Sequence, residues 1–179
     1  MELGPTAYVI LGMLALAPQS GYDIKQLADI STRHFWATSY GQIYPELRRL
    51  STKGLIKAED ASKGTRQRTI YHLTPMGREV LHAWVADPVI KNLEIRDEML
   101  LKLFFADVMS PKETARHLEA MSRRHRAVAA GLREHEPMAA AQPHRMKYEV
   151  MKFGIGLHDW CADWYARLAK DLEAGRKSR

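Results

Sequence analysis

From Thr6 to Ala17 the chain sets Tyr8, Ile10, Leu11, Leu14 and Leu16 nearly all round a helical wheel, which predicts a first helix buried on most sides; Pro18 stops it. Ser20-Gly21-Tyr22-Asp23 has the form of a capping box, in which the Ser hydroxyl and the Asp carboxylate satisfy free amides. It predicts a second helix that buries Ile24, Leu27, Ala28 and Ile30. After a short loop over residues 34–38, Ser39-Tyr40-Gly41-Gln42 repeats the device and opens a third helix, with Ile43, Leu47 and Leu50 at i, i+4 and i+7 and Gly54 at its end. Then the period changes. Leu55 to Glu59 and Gln67 to Leu73 are short segments rich in Ile, Thr and Tyr, separated by Asp60-Ala61-Ser62-Lys63-Gly64-Thr65, and they predict a hairpin. Thr74-Pro75 supplies a cap and a proline at the first helical position of a fourth helix through Val80, Leu81, Trp84 and Val85, and Asp87-Pro88 closes it.

From about Arg96 the pattern is wholly helical. Met99, Leu100, Leu103 and Phe104 mark one helix. Ser110-Pro111-Lys112-Glu113 is a capping box with proline at the first helical position, and after it Leu118, Met121, His125, Val128 and Leu132 recur at steps of 3, 4, 3 and 4 until Pro137, which predicts a break. The last helix carries Met146, Val150, Phe153, Leu157, Trp160 and Trp164 at steps of 4, 3, 4, 3 and 4, before the pattern slips to Leu168 and Leu172. Such a run predicts a helix-to-helix seam, here the dimer contact from Met146 to Leu168. Three helices, two strands and a helix within about 85 residues is the order of a winged helix-turn-helix, whose third helix enters the major groove while the hairpin flanks it. The fold class is therefore mainly α: a winged helix-turn-helix with a two-stranded wing over residues 1–87, then an all-helical dimerisation domain over 88–179.

Composition narrows the reading. The chain has 179 residues, and Cys161 is its one cysteine, which excludes an internal disulfide framework and a cysteine-ligated zinc site. Tyr8 to Ala17, the longest apolar stretch, is far below the ~20 residues of a membrane span. Glu2 stands where a signal peptide would be basic, so a cytoplasmic location is expected, without membrane association. The net charge of +6 favours anionic partners. The two halves share it: residues 1–85 hold 10 Lys and Arg against 7 Asp and Glu, and residues 86–179 hold 17 against 14. Clustering separates them, because Arg48, Arg49, Lys53, Lys57, Lys63, Arg66 and Arg68 face only Glu59 and Asp60 between positions 48 and 68.

With Ile43, Leu47 and Leu50 turned to the core, the third helix presents Tyr40, Gln42, Tyr44, Arg48 and Arg49 outward. Gln and Arg are residue types that pair with base edges, and Ser39 with the free amides at the helix start can hold a phosphate. Lys63, Arg66 and Arg68 place positive charge on the wing, suited to the phosphate backbone or the minor groove. Trp84, Trp160 and Trp164 either wall a pocket for a flat aromatic effector or pack the core and the dimer seam. Gly154 and Gly156 inside the last helix call for close helix approach or a kink. His158, Asp159 and Cys161 lack a recognisable ligand spacing, so no metal and no cofactor is expected. No Gly-x-Ser-x-Gly elbow, phosphate loop or His-Glu-x-x-His is present, which speaks against an enzyme. A winged helix that docks on a partner protein instead of an operator is the alternative.

Gly21-Tyr22-Asp23-Ile24, the segment from Ser39 to Leu50, Lys53-Gly54-Leu55-Ile56 and Tyr71-His72-Leu73-Thr74-Pro75-Met76-Gly77, taken in order, resemble the PadR family of bacterial winged-helix transcriptional regulators over residues 5–86. Where this chain has Thr69 and Ile70 the family often has a basic or aromatic residue. The helical second half resembles the longer branch of the family, whose C-terminal region is similar to virulence-gene activators. The resemblance implies a homodimeric, sequence-specific DNA-binding regulator, a repressor on an inverted-repeat operator, and some members of the family respond to small aromatic molecules. It also implies a hinge between the domains, near Asp87 to Arg96.

Overall fold

Pro5 at the first helical position opens α1 (Pro5–Leu14), which ends at Ala15, three residues before Pro18. The computed structural model describes residues 3–61, 68–89 and 97–175. A two-residue strand, β1 (Gln19–Ser20), leads directly into α2 (Gly21–Ile30), and a 3-10 turn over Thr32–His34 connects to α3 (Tyr40–Thr52). The wing is β2 (Ile56–Asp60) and β3 (Thr69–Leu73), followed by α4 (Pro75–Ala86). The two capping boxes predicted in this half are formed, Ser20 with Asp23 and Ser39 with Gln42, and Thr74 caps α4 through the Gly77 amide. Each such cap is worth about 1 kcal/mol.

The sheet has three strands, in the order β1-β3-β2, where the sequence predicts a two-stranded wing. Gln19 lies opposite Tyr71 and Ser20 opposite Ile70, so the turn between the first two helices is stitched to the wing. Two residues carry no readable alternation, and for that reason β1 leaves no trace in the hydrophobic pattern. Ile10, Leu11, Ile24, Ile43, Leu47 and Leu50 are wholly buried in one core that also takes in Leu55 and Ile56 from the wing. Ile30, predicted to be buried, is exposed.

Residues Met1–Asn92 and Leu93–Arg179 form two compact units. The second holds α5 (Glu98–Phe104), a 3-10 turn at Ala106–Val108, α6 (Pro111–Ala140) and α7 (Arg145–Glu173). α6 and α7 form an antiparallel hairpin in which Leu118, Met121 and Ala115 meet Tyr165 and Ala169. The sequence pattern predicts a break at Pro137, but α6 is not broken there; the helix runs on to Ala140. A proline removes one backbone bond, and here that loss falls in the last turns, beside the Arg133–Asp159 ion pair that ties α6 to α7. Gly154 answers to close approach, since a Cβ there would lie 3.4 Å from the Leu132 side chain; Gly156 faces open space.

His125 is buried, with its Nδ1 2.8 Å from Nδ1 of His158 and its ring stacked on Tyr165 at 5.5 Å. One imidazole donates and the other accepts. Burial lowers the His125 pKa, Asp97 opposes that and Arg124 adds to it, while burial pushes the Tyr165 phenol up to about 12. The unfolded chain then holds the His125 proton more tightly than the folded one. His125 is thus expected to contribute fully to the stability of the helical unit above the ordinary imidazole pKa near 6.5, and that contribution is lost as the pH falls below this value through the lower folded pKa. Thermal melts between about pH 8 and pH 5 check this, and His125→Phe should flatten the dependence.

Candidate nucleic-acid interface

Because α3 buries Ile43, Leu47 and Leu50 along one face, its opposite face is fixed as the open one. Tyr40, Gln42, Tyr44 and Arg48 all lie there, exposed, as the sequence predicts. Arg49 is more withdrawn. Its guanidinium donates from Nε to Glu46 at 2.9 Å, and the hydrogen bond to that carboxylate, one helical turn back, raises its pKa. An i, i+3 ion pair of this kind is readable from sequence, and it leaves Arg49 partly committed.

Gln42 caps its own helix. Its Oε1 accepts the Ser39 amide at 2.9 Å and the Ser39 hydroxyl at 3.1 Å, which closes the capping box, so only its amide nitrogen is turned to other partners. Tyr44 packs over Gly21: a Cβ on that glycine would sit 2.8 Å from the Tyr44 ring and 3.0 Å from Leu47. Glycine at 21 is what lets α2 and α3 close on the ring. Tyr71 on β3 lies near Tyr44 and Arg48; burial raises its phenol pKa, Tyr44 adds to the rise and Arg48 opposes it. Tyr22, Tyr40 and Tyr44 stack in a row, with centroids 6.5 and 6.2 Å apart. Neither Tyr22 nor Tyr71 is predicted as a site residue, because spacing along the chain does not show which rings meet between elements.

On the wing, Arg68 donates from Nη2 to Asp23 at 2.8 Å, across 45 positions of sequence, and the Ala61 amide bonds the Arg68 carbonyl at the same distance. Asp23 Oδ2 also accepts the Ser20 hydroxyl at 2.7 Å and the Ser20 amide at 3.1 Å. The Ser20 hydroxyl bond is the main reason the Asp23 pKa lies below the usual carboxylate range, with Arg68 adding to it. Lys63 and Arg66 lie outside the described residues.

The proposed seam divides. Met146, Val150, Phe153, Leu157 and Trp160 are exposed along one face of α7, whereas Trp164 and Leu168 pack inward against the α6–α7 core. A 3.5-residue repeat drifts about 20° per heptad on a straight helix, which carries the later positions round to the inner face. Trp84 belongs to the first unit, where it stacks on Tyr8 at 4.3 Å and stays half exposed. Trp160 and Trp164 belong to the second and stack on each other at 6.3 Å. Asp159 is paired with Arg133, Cys161 packs against the helical core, and among the described residues no group of three or more His, Cys, Asp and Glu is placed to hold a metal ion.

A three-helix core with an outward polar helix, a flanking hairpin and a separate helical unit defines a winged-helix protein. Its residues 10–83 match the model of the transcriptional regulator PadR-like family, and residues 95–173 match that of the virulence activator alpha C-terminal region. The negative transcriptional regulator PadR of Bacillus subtilis (strain 168) is 31% identical over 152 residues, covering 82% of this chain and 81% of that protein. The chain belongs to the PadR-like family of transcriptional regulators. The crystal structure of B. subtilis PadR with operator DNA superposes with a TM-score of 0.84 at 26% identity, covering 93% of this chain and 98% of the other. A structure of the same relative with p-coumaric acid gives 0.77 at 23% identity, with 96% and 99% covered.

Proposed function

We propose that this regulator is a cytoplasmic repressor, without enzymatic activity, that binds an inverted-repeat operator as a homodimer. The observation that carries the reading is the outward face of α3, where Gln42, Tyr44 and Arg48 stand exposed behind a fully buried Ile43, Leu47 and Leu50. On this reading α3 enters the major groove, Ser39, Tyr40 and Arg49 support it, and Lys63, Arg66 and Arg68 bring the wing to the backbone or minor groove. Two heads come from pairing the open α7 face, and a small aromatic effector is sensed beside Trp160 and Trp164 of the helical unit. The B. subtilis relative, of known structure with operator DNA and with p-coumaric acid, supports both halves. Among the described residues no helix is long and apolar enough to cross a membrane.

With its oxygen engaged at the cap, Gln42 reads a base through its amide hydrogens, which suits an acceptor such as guanine O6 or thymine O4. Gln42→Ala is expected to cost about 1–3 kcal/mol more on an operator selected from randomised duplexes than on scrambled DNA, where only the smaller loss from the missing cap is felt. Gln42→Glu keeps the capping oxygen and removes the donor, so it separates base reading from helix stability. Lys63→Ala should weaken both duplexes alike and lower the slope of log affinity against log salt by about 1. Tyr44→Phe should lose less than Tyr44→Ala, because the ring over Gly21 is retained. Anisotropy titrations across salt measure all of these. A wild-type chain with no affinity for any duplex would leave the protein-docking alternative.

A further inference from the structure

Three exposed tyrosines in one stacked row need an explanation beyond packing. Tyr22 is the most open of them at 57% exposure, on the first turn of α2, one element away from the reading helix. The row is braced from beneath. Lys25 pairs with Asp29 and holds its ammonium 5.3 Å from the centre of the Tyr40 ring, the Gln26 amide donates to the Tyr40 hydroxyl at 3.4 Å, and Tyr44 rests over Gly21. A prop would be covered; Tyr22 is instead the open end of the row, and among the described residues its hydroxyl makes no hydrogen bond.

The charge around it suits an anion. The neighbouring acid, Asp23, is engaged by Ser20 and by Arg68, so its carboxylate is not bare and a guanidinium is drawn to the same edge. In helix-turn-helix docking, the helix before the reading helix crosses the sugar-phosphate backbone, and tyrosine hydroxyls are among the groups that bond phosphate oxygens.

We infer that Tyr22 is a further DNA contact, its phenol hydroxyl donating to a backbone phosphate oxygen at the rim of the groove that α3 enters; this rests on the operator-binding reading. The contact supplies affinity and no base discrimination. Its neutral hydroxyl also displaces no counterion.

Tyr22→Phe keeps the ring in the row and deletes only the donor. In the full-length chain it is expected to weaken the selected operator and a scrambled duplex alike, by about ten-fold or more. The slope of log affinity against log salt should not change, in contrast to Lys63→Ala. Tyr22→Ala, which also removes the stacked ring, should lose at least as much. Wild-type affinity of Tyr22→Phe on both duplexes, with Gln42→Ala still losing affinity on the operator, overturns the Tyr22 contact and leaves the operator reading standing. A loss confined to the operator would overturn it too, because it would make Tyr22 a base reader. No binding of any duplex by the wild-type chain removes both.

Discussion

Leu157→Glu is expected to turn a dimer into a monomer in light scattering and to reduce affinity for a two-half-site operator at least a hundred-fold, toward that of a single half-site. Met146, Val150, Phe153, Leu157 and Trp160 form an exposed apolar stripe about 21 Å long at 1.5 Å per residue. A contiguous stripe of that length is what the proposed dimer would cover. A carboxylate in its middle would have to be buried unpaired on pairing. In the proposed dimer the two heads act as linked binders, so losing the link would cost an effective-concentration factor of about 10² to 10⁴. Leu157 is a better site for this test than Trp164, whose contacts within the α6–α7 core would mix folding into the result. A wild-type chain that stays monomeric at micromolar concentration would sink the dimer.

Gly77→Ala is expected to destabilise the winged-helix unit by about 3–5 kcal/mol, an effect at the large end for a single methyl group. The added Cβ would fall 2.0 Å from the Leu55 carbonyl oxygen and 2.8 Å from the Leu73 side chain. The first obstacle is backbone, so nothing can rotate away. The same carbonyl accepts the Thr74 amide at 3.2 Å and a shared hydroxyl bond from Thr74 at 2.9 Å, while Thr74 Oγ1 accepts the Gly77 amide at 3.0 Å. Moving Leu55 therefore loosens the start of the wing and the cap of α4 together. A denaturant midpoint measured with an unchanged slope reads the cost, and a shift worth less than about 1 kcal/mol would show that α4 can lift off without penalty.

Much of this architecture is legible in the chain because its signals are local. Ser20 with Asp23, Ser39 with Gln42 and Ser110 with Glu113 each announce a helix three residues deep, and each forms its capping box. The core face of α3 follows from the spacing of Ile43, Leu47 and Leu50. What is not legible depends on elements meeting. The Asp23–Arg68 pair spans 45 positions, the His125–His158 pair spans 33, and the tyrosine row needs α2 and α3 side by side. Gly77 reads as a feature of the α4 start, yet the reason for it is a carbonyl 22 residues earlier in the chain. The inward turn of Trp164 needs the true helical pitch, which a heptad count overruns.

The capping bond at Gln42 also limits how this regulator can diverge. A base-facing position would ordinarily be free to drift among many side chains as operators change, because nothing else depends on it. Here the side chain proposed to read a base through its amide hydrogens also holds the first turn of α3 together, through its oxygen and Ser39. On the proposed docking, replacement by Arg, Lys or Ser would change the base preference and unpick the helix start in one step, whereas Glu keeps the turn and reverses the hydrogen-bond sense. If α3 reads bases as proposed, new operator preferences should arise first at Arg48, whose exposed side chain holds no helix cap, with position 42 held to a two-letter alphabet.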